Sequence, residues 1–184
     1  MLDEETARER ALEAAEALFY NQGIQAVGMD TIRSNSGVSL KRLYHLFPSK
    51  ADLVQEFLRE RDGRWLEALA KYVETTQDPD DRVLAVFDWL YIWFCEPGYR
   101  GCAFINSFGE LGAVSPEVAE LARAHKRAFH DYLAELVTAA GRPARLADHL
   151  LLLAEGAIVA AAIFATPEAA HHAQEAARVL MGRA

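Results

Sequence analysis

Apolar residues recur with a helical period along the chain. The first such segment, ARERALEAAEALFYNQG, ends at Gly23, which can close a helix in a left-handed conformation. Its apolar residues at helical spacing are Ala11, Ala15, Leu18 and Phe19. No segment shows the alternation of a half-buried strand, so the pattern predicts an all-α protein of about nine helices.

The next three helices are marked by the residues that begin and end them. A short second helix lies in MDTIRSNSG and stops at Gly37, and the third starts after Ser39 and ends before Pro48. Ser49 then caps a long fourth helix, with Asp52 three residues later as in a capping box. The N-terminal part is therefore predicted to hold three helices before a long fourth one.

The second half of the chain is predicted to be helical as well. SPE at Ser115 and TPE at Thr166 each supply a cap, a proline for the first turn and an early acid, which is typical of a helix start. The predicted helices cover about 80–95, 101–111, 116–140, 143–165 and 167–181.

The third helix is short and has one apolar and one basic side. At about 100° per residue, its apolar side holds Leu40, Leu43, Tyr44 and Phe47, and its opposite side holds Lys41, Arg42 and His45. Cations in the first turn oppose the helix dipole at a cost of about 0.3–1 kcal/mol each, which a polyanionic neighbour would offset. A short basic helix after another short helix and a glycine turn is what a helix-turn-helix needs to enter the major groove. An ordinary solvated surface is the alternative.

The distribution of charge along the chain fits a local site for a polyanion better than the net charge does. The formal net charge is −8, which by itself disfavours a nucleic-acid partner. Residues 24–50, however, hold four cations against Asp30 alone, whereas residues 51–184 hold 13 cations against 20 anions. A basic patch on an acidic body can still steer phosphate binding.

Composition places the chain among globular proteins, because 184 residues with 52% hydrophobic and 25% charged residues can bury a core. The N-terminal MLDEETARER lacks the pattern of a secretory signal, and the apolar run Leu150 to Phe164 is too short to span a bilayer comfortably. We therefore expect a cytoplasmic protein without a membrane segment. Cys95 and Cys102 are expected to be small buried side chains, a redox pair being the alternative, and no metal site or cofactor is expected.

The N-terminal segments resemble the TetR-type bacterial repressors over residues 8 to about 58. The resemblance rests on LFYNQG at the end of the first helix, the GVS turn, and LYHLFPSK, which closes the third helix and opens the fourth. It implies a helix-turn-helix DNA-binding domain over residues 1–48 and a helical ligand-binding and dimerisation domain over residues 49–184. The chain departs from the family pattern at Gly28, where a Ser or Thr cap is usual, and at RSNS, where the family is alanine-rich.

The resemblance also implies roles for individual residues, since the family's third helix reads bases and residues at its end contact phosphates. The matching residues are Arg33 on the helix that crosses the DNA backbone, Ser39, Lys41 and Arg42 at the start of the recognition helix, and Tyr44, His45 and Lys50 at phosphate-contacting positions. The alternatives are a Tyr44 ring that only fills the core, and idle surface side chains at His45 and Lys50.

An aromatic-rich segment indicates a second site. Residues 87–108 hold eight of the 18 aromatic residues, either as core or as the lining of a pocket for an apolar or aromatic molecule, and the resemblance favours a pocket. Cys102, Asn106 and Glu110 are spaced by four, so they share a helix face that orients a ligand, faces solvent or forms an inter-helix hydrogen bond. The ligand-binding candidates are Trp65, Trp89, Trp93, Cys102, Asn106, Phe108 and Glu110.

The last two predicted helices, at about 143–165 and 167–181, carry enough apolar and small residues to require cover from a partner. The resemblance implies a homodimer through these helices, with palindromic half-sites. The resemblance, together with the basic side of the third helix and the aromatic-rich segment, implies a homodimeric repressor that releases double-stranded operator DNA when a small hydrophobic or aromatic effector binds. The alternatives are a DNA-binding protein controlled by a protein partner, and an all-helical enzyme that uses Glu110 or Asp88 as acid or base.

Overall fold

The computed structural model describes residues 3–182, and most of these residues lie in α-helices. Nine α-helices and no strand occur in this range, which confirms the predicted fold class. The helices are α1 (Glu4–Gln22), α2 (Met29–Ser36), α3 (Leu40–Leu46), α4 (Lys50–Val73), α5 (Pro79–Phe94), α6 (Ala103–Leu111), α7 (Pro116–Ala139), α8 (Leu146–Phe164) and α9 (Ala169–Leu180).

Two of the predicted helix starts have the expected side-chain caps. Ser49 Oγ accepts the N–H of Asp52 at 3.2 Å and donates to the Asp52 carboxylate at 2.6 Å. Ser115 Oγ accepts the N–H of Val118 at 3.3 Å, and α7 begins at the proline that follows. These bonds satisfy backbone donors that the first turn leaves without a helical partner.

Other helix ends differ from the prediction, among them α8, which begins at Leu146 and not at about 143. The α9 helix begins at Ala169 and not at 167, because Thr166 Oγ1 accepts the N–H of Glu168 at 3.4 Å in a turn that precedes the helix. Gly23 ends α1 with φ 89° and ψ 149°, so its φ is positive but its backbone is more extended than the predicted left-handed conformation.

The described residues form two compact units. The first contains residues up to Asp62 together with Ala103–Ala122, and the second contains Gly63–Cys102 together with residues from Arg123 onwards. Helices α4 and α7 contribute residues to both units. The predicted domain boundary between residues 48 and 49 is a different division and stays a prediction.

The first unit is built around the apolar face of α1, which the helical spacing predicted. Its buried residues on α1 are Ala7, Ala11, Leu12, Ala15, Leu18 and Phe19. The Phe19 ring packs against Phe57 of α4 with centroids 5.9 Å apart, and an ion pair between Arg8 and Glu56 joins the same two helices. Apolar burial of this kind supplies most of the stability of short helices.

The second unit packs α5, α8 and α9 together. Its fully buried side chains include Phe87, Leu90, Phe129, Leu133, Leu150 and Ile158. Arg142, after α7, donates two hydrogen bonds to the Asp80 carboxylate at 2.9 and 2.5 Å and one to the carbonyl of Met181 at 3.0 Å. A single guanidinium therefore links the start of α5 with the end of α9.

The α8 helix is strongly apolar and extends over 19 residues, beyond the run on which the prediction was based. By length and composition it is the one helix among residues 3–182 that could span a membrane, a test that core helices of water-soluble proteins also pass. Leu152, Ile163 and Phe164 are exposed on it, so the single chain does not cover α8 on all sides.

We expect His130 to make the stability of the second unit depend on pH. Its Nε2 lies 3.0 Å from Asp148 Oδ1 and its Nδ1 lies 3.4 Å from Asp131 Oδ1, and hydrogen bonds to these carboxylates raise the pKa of His130. The stabilisation is complete below the unfolded pKa of about 6.5 and is lost as the pH rises through the higher folded pKa. His130→Gln should therefore lower the Tm more at about pH 5.5 than at about pH 8.5 in scanning calorimetry.

The matched control is His149→Gln, at an exposed position on α8. The change in Tm should depend on pH more strongly for His130→Gln than for His149→Gln, because His130 contacts two carboxylates. An effect of His130→Gln that does not change with pH would contradict the assignment of this interaction.

Candidate functional site

Helix α3 presents a polar side to solvent. Leu43 and Phe47 are buried, whereas Lys41 and His45 are exposed and Tyr44 is 47% exposed. Tyr44 was predicted on the apolar side, but in this short helix it lies at the edge of that side. The exposed side therefore combines one cation, one imidazole and one phenol.

The first turn of α3 carries the charge pattern that the sequence indicated. Ser39 is the N-cap and its Oγ accepts the N–H of Arg42 at 3.4 Å. Lys41 is exposed, and Arg42 is half-buried. No acidic residue lies in this turn to match the helix dipole, so the turn is favourable for an anion outside the chain.

The turn between α2 and α3 is held by a residue that sequence reasoning did not single out. Ser36, in the polar RSNS segment, is buried, and its Oγ accepts the N–H of Val38 at 3.2 Å. Gly37 between them has φ 69° and ψ 9°, a left-handed conformation that favours glycine. Gly28 begins α2 without a side-chain cap bond, as predicted for a glycine at that position.

Two of the predicted DNA-contacting cations already have neighbours in the first unit. Arg33 is exposed, and its Nε lies 3.2 Å from Asp30 Oδ1, which reduces the charge of the patch. Lys50, the first residue of α4, is half-buried with its Nζ 6.0 Å from the centre of the Phe19 ring. Burial lowers the pKa of Lys50, and the charge of Glu110 opposes that shift.

Glu110 of α6 holds the loop that follows α1. Its Oε1 accepts the N–H of Ile24 at 3.0 Å, its Oε2 accepts the N–H of Gln25 at 2.8 Å, and the Gln25 side chain donates to the Glu110 carbonyl at 2.9 Å. A Cβ at Gly23 would lie 3.2 Å from Oε1, so the carboxylate sits directly against the loop. The contact joins α6 to the loop after α1, and a role of Glu110 in ligand binding stays a prediction.

The three tryptophans predicted as ligand-binding residues lie together in the second unit. The Trp65 ring meets Trp89 edge-on at 5.1 Å and Trp93 at 5.6 Å, and Trp89 and Trp93 stack at 5.7 Å. Two further rings contact Trp65, His125 at 5.2 Å and Phe129 at 5.1 Å. We call these five residues the aromatic cluster; the sequence did not indicate its two members from α7.

A polar group adjoins the aromatic cluster at Cys102. The Cys102 Sγ lies 3.9 Å from His125 Nε2 and 3.5 Å from Lys126 Nζ, and Lys126 pairs with both oxygens of Glu155 at 2.7 and 2.8 Å. Cys102 is buried, as expected, but Cys95 is exposed, which corrects the expectation that both are buried. Both are free thiols.

The remaining ligand-binding candidates belong to the first unit. Asn106, Phe108 and Glu110 lie within α6, and Asn106 and Phe108 are exposed, whereas Cys102, which directly precedes α6, belongs to the second unit. Asp88, considered as an acid or base, accepts a hydrogen bond from Gln174 at 2.6 Å. Within the described range no group of three or more His, Cys, Asp or Glu residues is arranged to hold a metal ion.

Known proteins are similar to this chain in its N-terminal helices and, for one solved structure, along almost its whole length. The family described as "Bacterial regulatory proteins, tetR family" matches residues 11–57, which cover most of α1, all of α2 and α3, and the start of α4. Two curated relatives are similar in sequence. The transcriptional activator FasR of Mycolicibacterium smegmatis is 28% identical over 139 residues, and the transcriptional repressor KstR2 of Mycobacterium tuberculosis is 35% identical over 83 residues.

These alignments cover 74% and 44% of this chain but only 61% and 40% of the two relatives' own lengths. A solved structure, that of a TetR-family transcriptional regulator from Streptomyces coelicolor, is similar over almost the whole chain. It is 30% identical with a TM-score of 0.88, and the match covers 95% of this chain and 94% of that one. With a helix-turn-helix at its N-terminus and this similarity along its length, the chain belongs to the TetR family of transcriptional regulators.

Proposed function

We propose that this chain acts as a homodimeric repressor that binds palindromic operator DNA and releases it when a small hydrophobic or aromatic effector binds. The observation that carries the proposal is the exposed basic side of α3, anchored by buried Leu43 and Phe47. The two curated relatives are an activator and a repressor, so the direction of regulation belongs to the proposal. A cytoplasmic location without a membrane role, and domains over 1–48 and 49–184, belong to it as well.

The DNA contacts divide into those that read bases and those that bind phosphate. Lys41 and Arg42 stand at the start of the helix that enters the major groove, where long cationic side chains reach both base edges and phosphates. Tyr44 and His45 present a hydroxyl and an imidazole from the same exposed side to the DNA backbone. Ser39, Arg33 and Lys50 complete the proposed contacts, although Arg33 first has to release Asp30.

The proposed effector site is the aromatic cluster with Cys102. Its rings offer the large apolar surface that small-molecule sites commonly use, and the adjoining polar side chains can orient a ligand. A ligand that binds one arrangement of the dimer better than another shifts the population away from the DNA-binding spacing. Asn106 and Phe108, which are exposed and belong to the first unit, stay separate candidates for ligand contact.

Glu110 has a different role in this proposal. Because its carboxylate holds two successive backbone N–H groups after α1, it positions the helix-turn-helix instead of contacting the ligand. Hydrogen bonds to a charged acceptor contribute about 1.5–3 kcal/mol, enough to fix the loop before α2.

The proposed dimer uses α8 and α9. Large apolar side chains are exposed along both helices, which is uncommon in a monomer and typical of an interface. They are Leu152, Val159, Ile163 and Phe164 on α8, and Val179 and Leu180 on α9. A two-fold dimer would carry two copies of α3 to successive half-sites.

Replacing the cations of α3 should weaken DNA binding without destabilising the fold. We expect Lys41→Ala and Arg42→Ala each to lower affinity by about tenfold or more, and to reduce the salt dependence by about one unit of slope for each phosphate contact removed. A mobility-shift assay on DNA from beside the coding region measures both. Because a cation in the first turn opposes the helix dipole, Lys41→Ala should leave the Tm unchanged or slightly higher.

Lys71→Ala, at an exposed position in the last turn of α4, is the matched control and should retain DNA affinity. Binding that survives alanine at Lys41, Arg42 and Tyr44 together would remove the proposed mechanism.

A charge on the exposed face of α8 should separate the subunits. Ile163 and Phe164 are 72% and 73% exposed in the single chain, so an aspartate at either position is tolerated in the monomer but costly in an apolar interface. The wild type should elute with the mass of two chains in light scattering, and Ile163→Asp with the mass of one. Val114→Asp, at a site 77% exposed outside these helices, should remain dimeric. A dimeric Ile163→Asp/Phe164→Asp double variant would place the interface elsewhere.

Glu110→Gln should loosen the helix-turn-helix. The amide oxygen can accept one of the two N–H groups but brings no charge, so we expect the free energy of unfolding to fall by about 1–3 kcal/mol. Urea unfolding measures this loss, and the mobility shift should show weaker operator binding. Glu67→Gln, at an exposed site on α4, is the control. Wild-type stability together with altered effector affinity would instead assign Glu110 to the ligand.

A further inference from the structure

A buried hydrogen-bond donor in the aromatic cluster lacks an acceptor. The Nε1 of Trp65 is inaccessible to solvent and has no hydrogen-bond partner in the part of the chain that the structure describes, and the whole residue is only 9% exposed. Indole nitrogen can only donate, and buried tryptophan N–H groups usually find a partner. An unsatisfied buried donor is costly, so its presence beside a candidate ligand site calls for an explanation.

The surroundings of Trp65 offer aromatic rings. Trp89, Trp93, His125 and Phe129 approach it with interplanar angles between 70° and 85° and centroid distances between 5.1 and 5.6 Å. A ring face can accept an N–H only weakly compared with an oxygen or nitrogen lone pair. The cluster therefore favours a flat apolar molecule, and its central donor favours one that carries an acceptor atom.

The charges near the cluster argue against a cationic ligand. Several aromatic rings together can hold a cation, but such sites are strengthened by a carboxylate or a ring face and weakened by an N–H donor. The nearby carboxylate, Glu155, is already bound through both oxygens by Lys126 at 2.7 and 2.8 Å. Lys126 and Glu155 therefore offset each other's charge, and the Glu155 carboxylate is already engaged.

We propose that the effector of this chain is an uncharged aromatic or cycloalkyl compound with a carbonyl, ether or ring-nitrogen acceptor, which takes the N–H of Trp65. This inference rests on the proposed ligand-responsive function and specifies the chemistry of its site. Because Trp89 and Trp93 stand 5.1 and 5.6 Å from Trp65, the proposal requires a ring beside Trp65 to turn aside to admit the acceptor. The donor then selects between ligands of equal size and shape.

The test compares two bicyclic probes of similar shape, 1-indanone with a carbonyl acceptor and indane without one, and adds choline as a cation. Isothermal titration calorimetry on the full chain should give 1-indanone at least about tenfold higher affinity than indane, a difference of about 1.4 kcal/mol, and no tighter binding of choline. With ¹⁵N-labelled tryptophan, the Trp65 indole signal should move downfield with 1-indanone and not with indane. The wild-type comparison needs no variant to fold.

Two matched variants locate the effect. Trp65→Phe keeps a ring but removes the donor, so it should abolish the preference for 1-indanone over indane. Trp89→Phe keeps the donor, so it should lower the affinity for both probes and leave the preference intact. Equal affinities of the two probes, tighter choline binding, or no binding of any probe would overturn the inference. A mobility-shift assay without ligand measures operator binding on its own. Failure of the probe experiment therefore contradicts only the ligand inference, and loss of the mobility shift contradicts only the DNA-binding proposal.

Discussion

The arrangement of the helix-turn-helix depends on the burial of Leu43 and Phe47. Helix α3 has only seven residues, fewer than an isolated helix needs in water, so tertiary contacts must hold it. Those two side chains decide which side of α3 faces the core, and the helical period then decides that Lys41, Tyr44 and His45 face solvent. The Ser39 cap offsets part of the cost of placing cations in the first turn.

Three features of the chain look unfavourable when it is considered alone. The first turn of α3 is cationic, the Trp65 indole has a buried donor without an acceptor among the described residues, and apolar side chains are exposed on α8 and α9. Local rules of this kind are most often broken where a protein has a function. DNA, an effector and a second subunit would each satisfy one of them, which is why the proposed function accounts for all three together.

The sequence predicted what depends on local spacing. Periodicity gave the nine helices, and serine caps and glycines gave some of their ends, such as those at Gly37, Ser39 and Ser49. It could not predict the contact between Glu110 and Ile24, whose partners lie 86 residues apart, or the place of His125 in the aromatic cluster, since both depend on how helices pack. Ser36 was missed because a buried serine in a polar run has no signal of its own, and Cys95 because a short apolar side chain at a helix end fits either environment.

The anchoring of the first loop by Glu110 also bears on how the protein is made. The loop after α1 belongs to the first 28 residues, but the carboxylate that binds its backbone is on α6. A nascent chain grows from its N-terminus at about 5–20 residues per second, so roughly 3–13 seconds pass between translation of the end of α3 and translation of Glu110. The helix-turn-helix of a newly made chain therefore reaches its final geometry only after residue 110 has been translated.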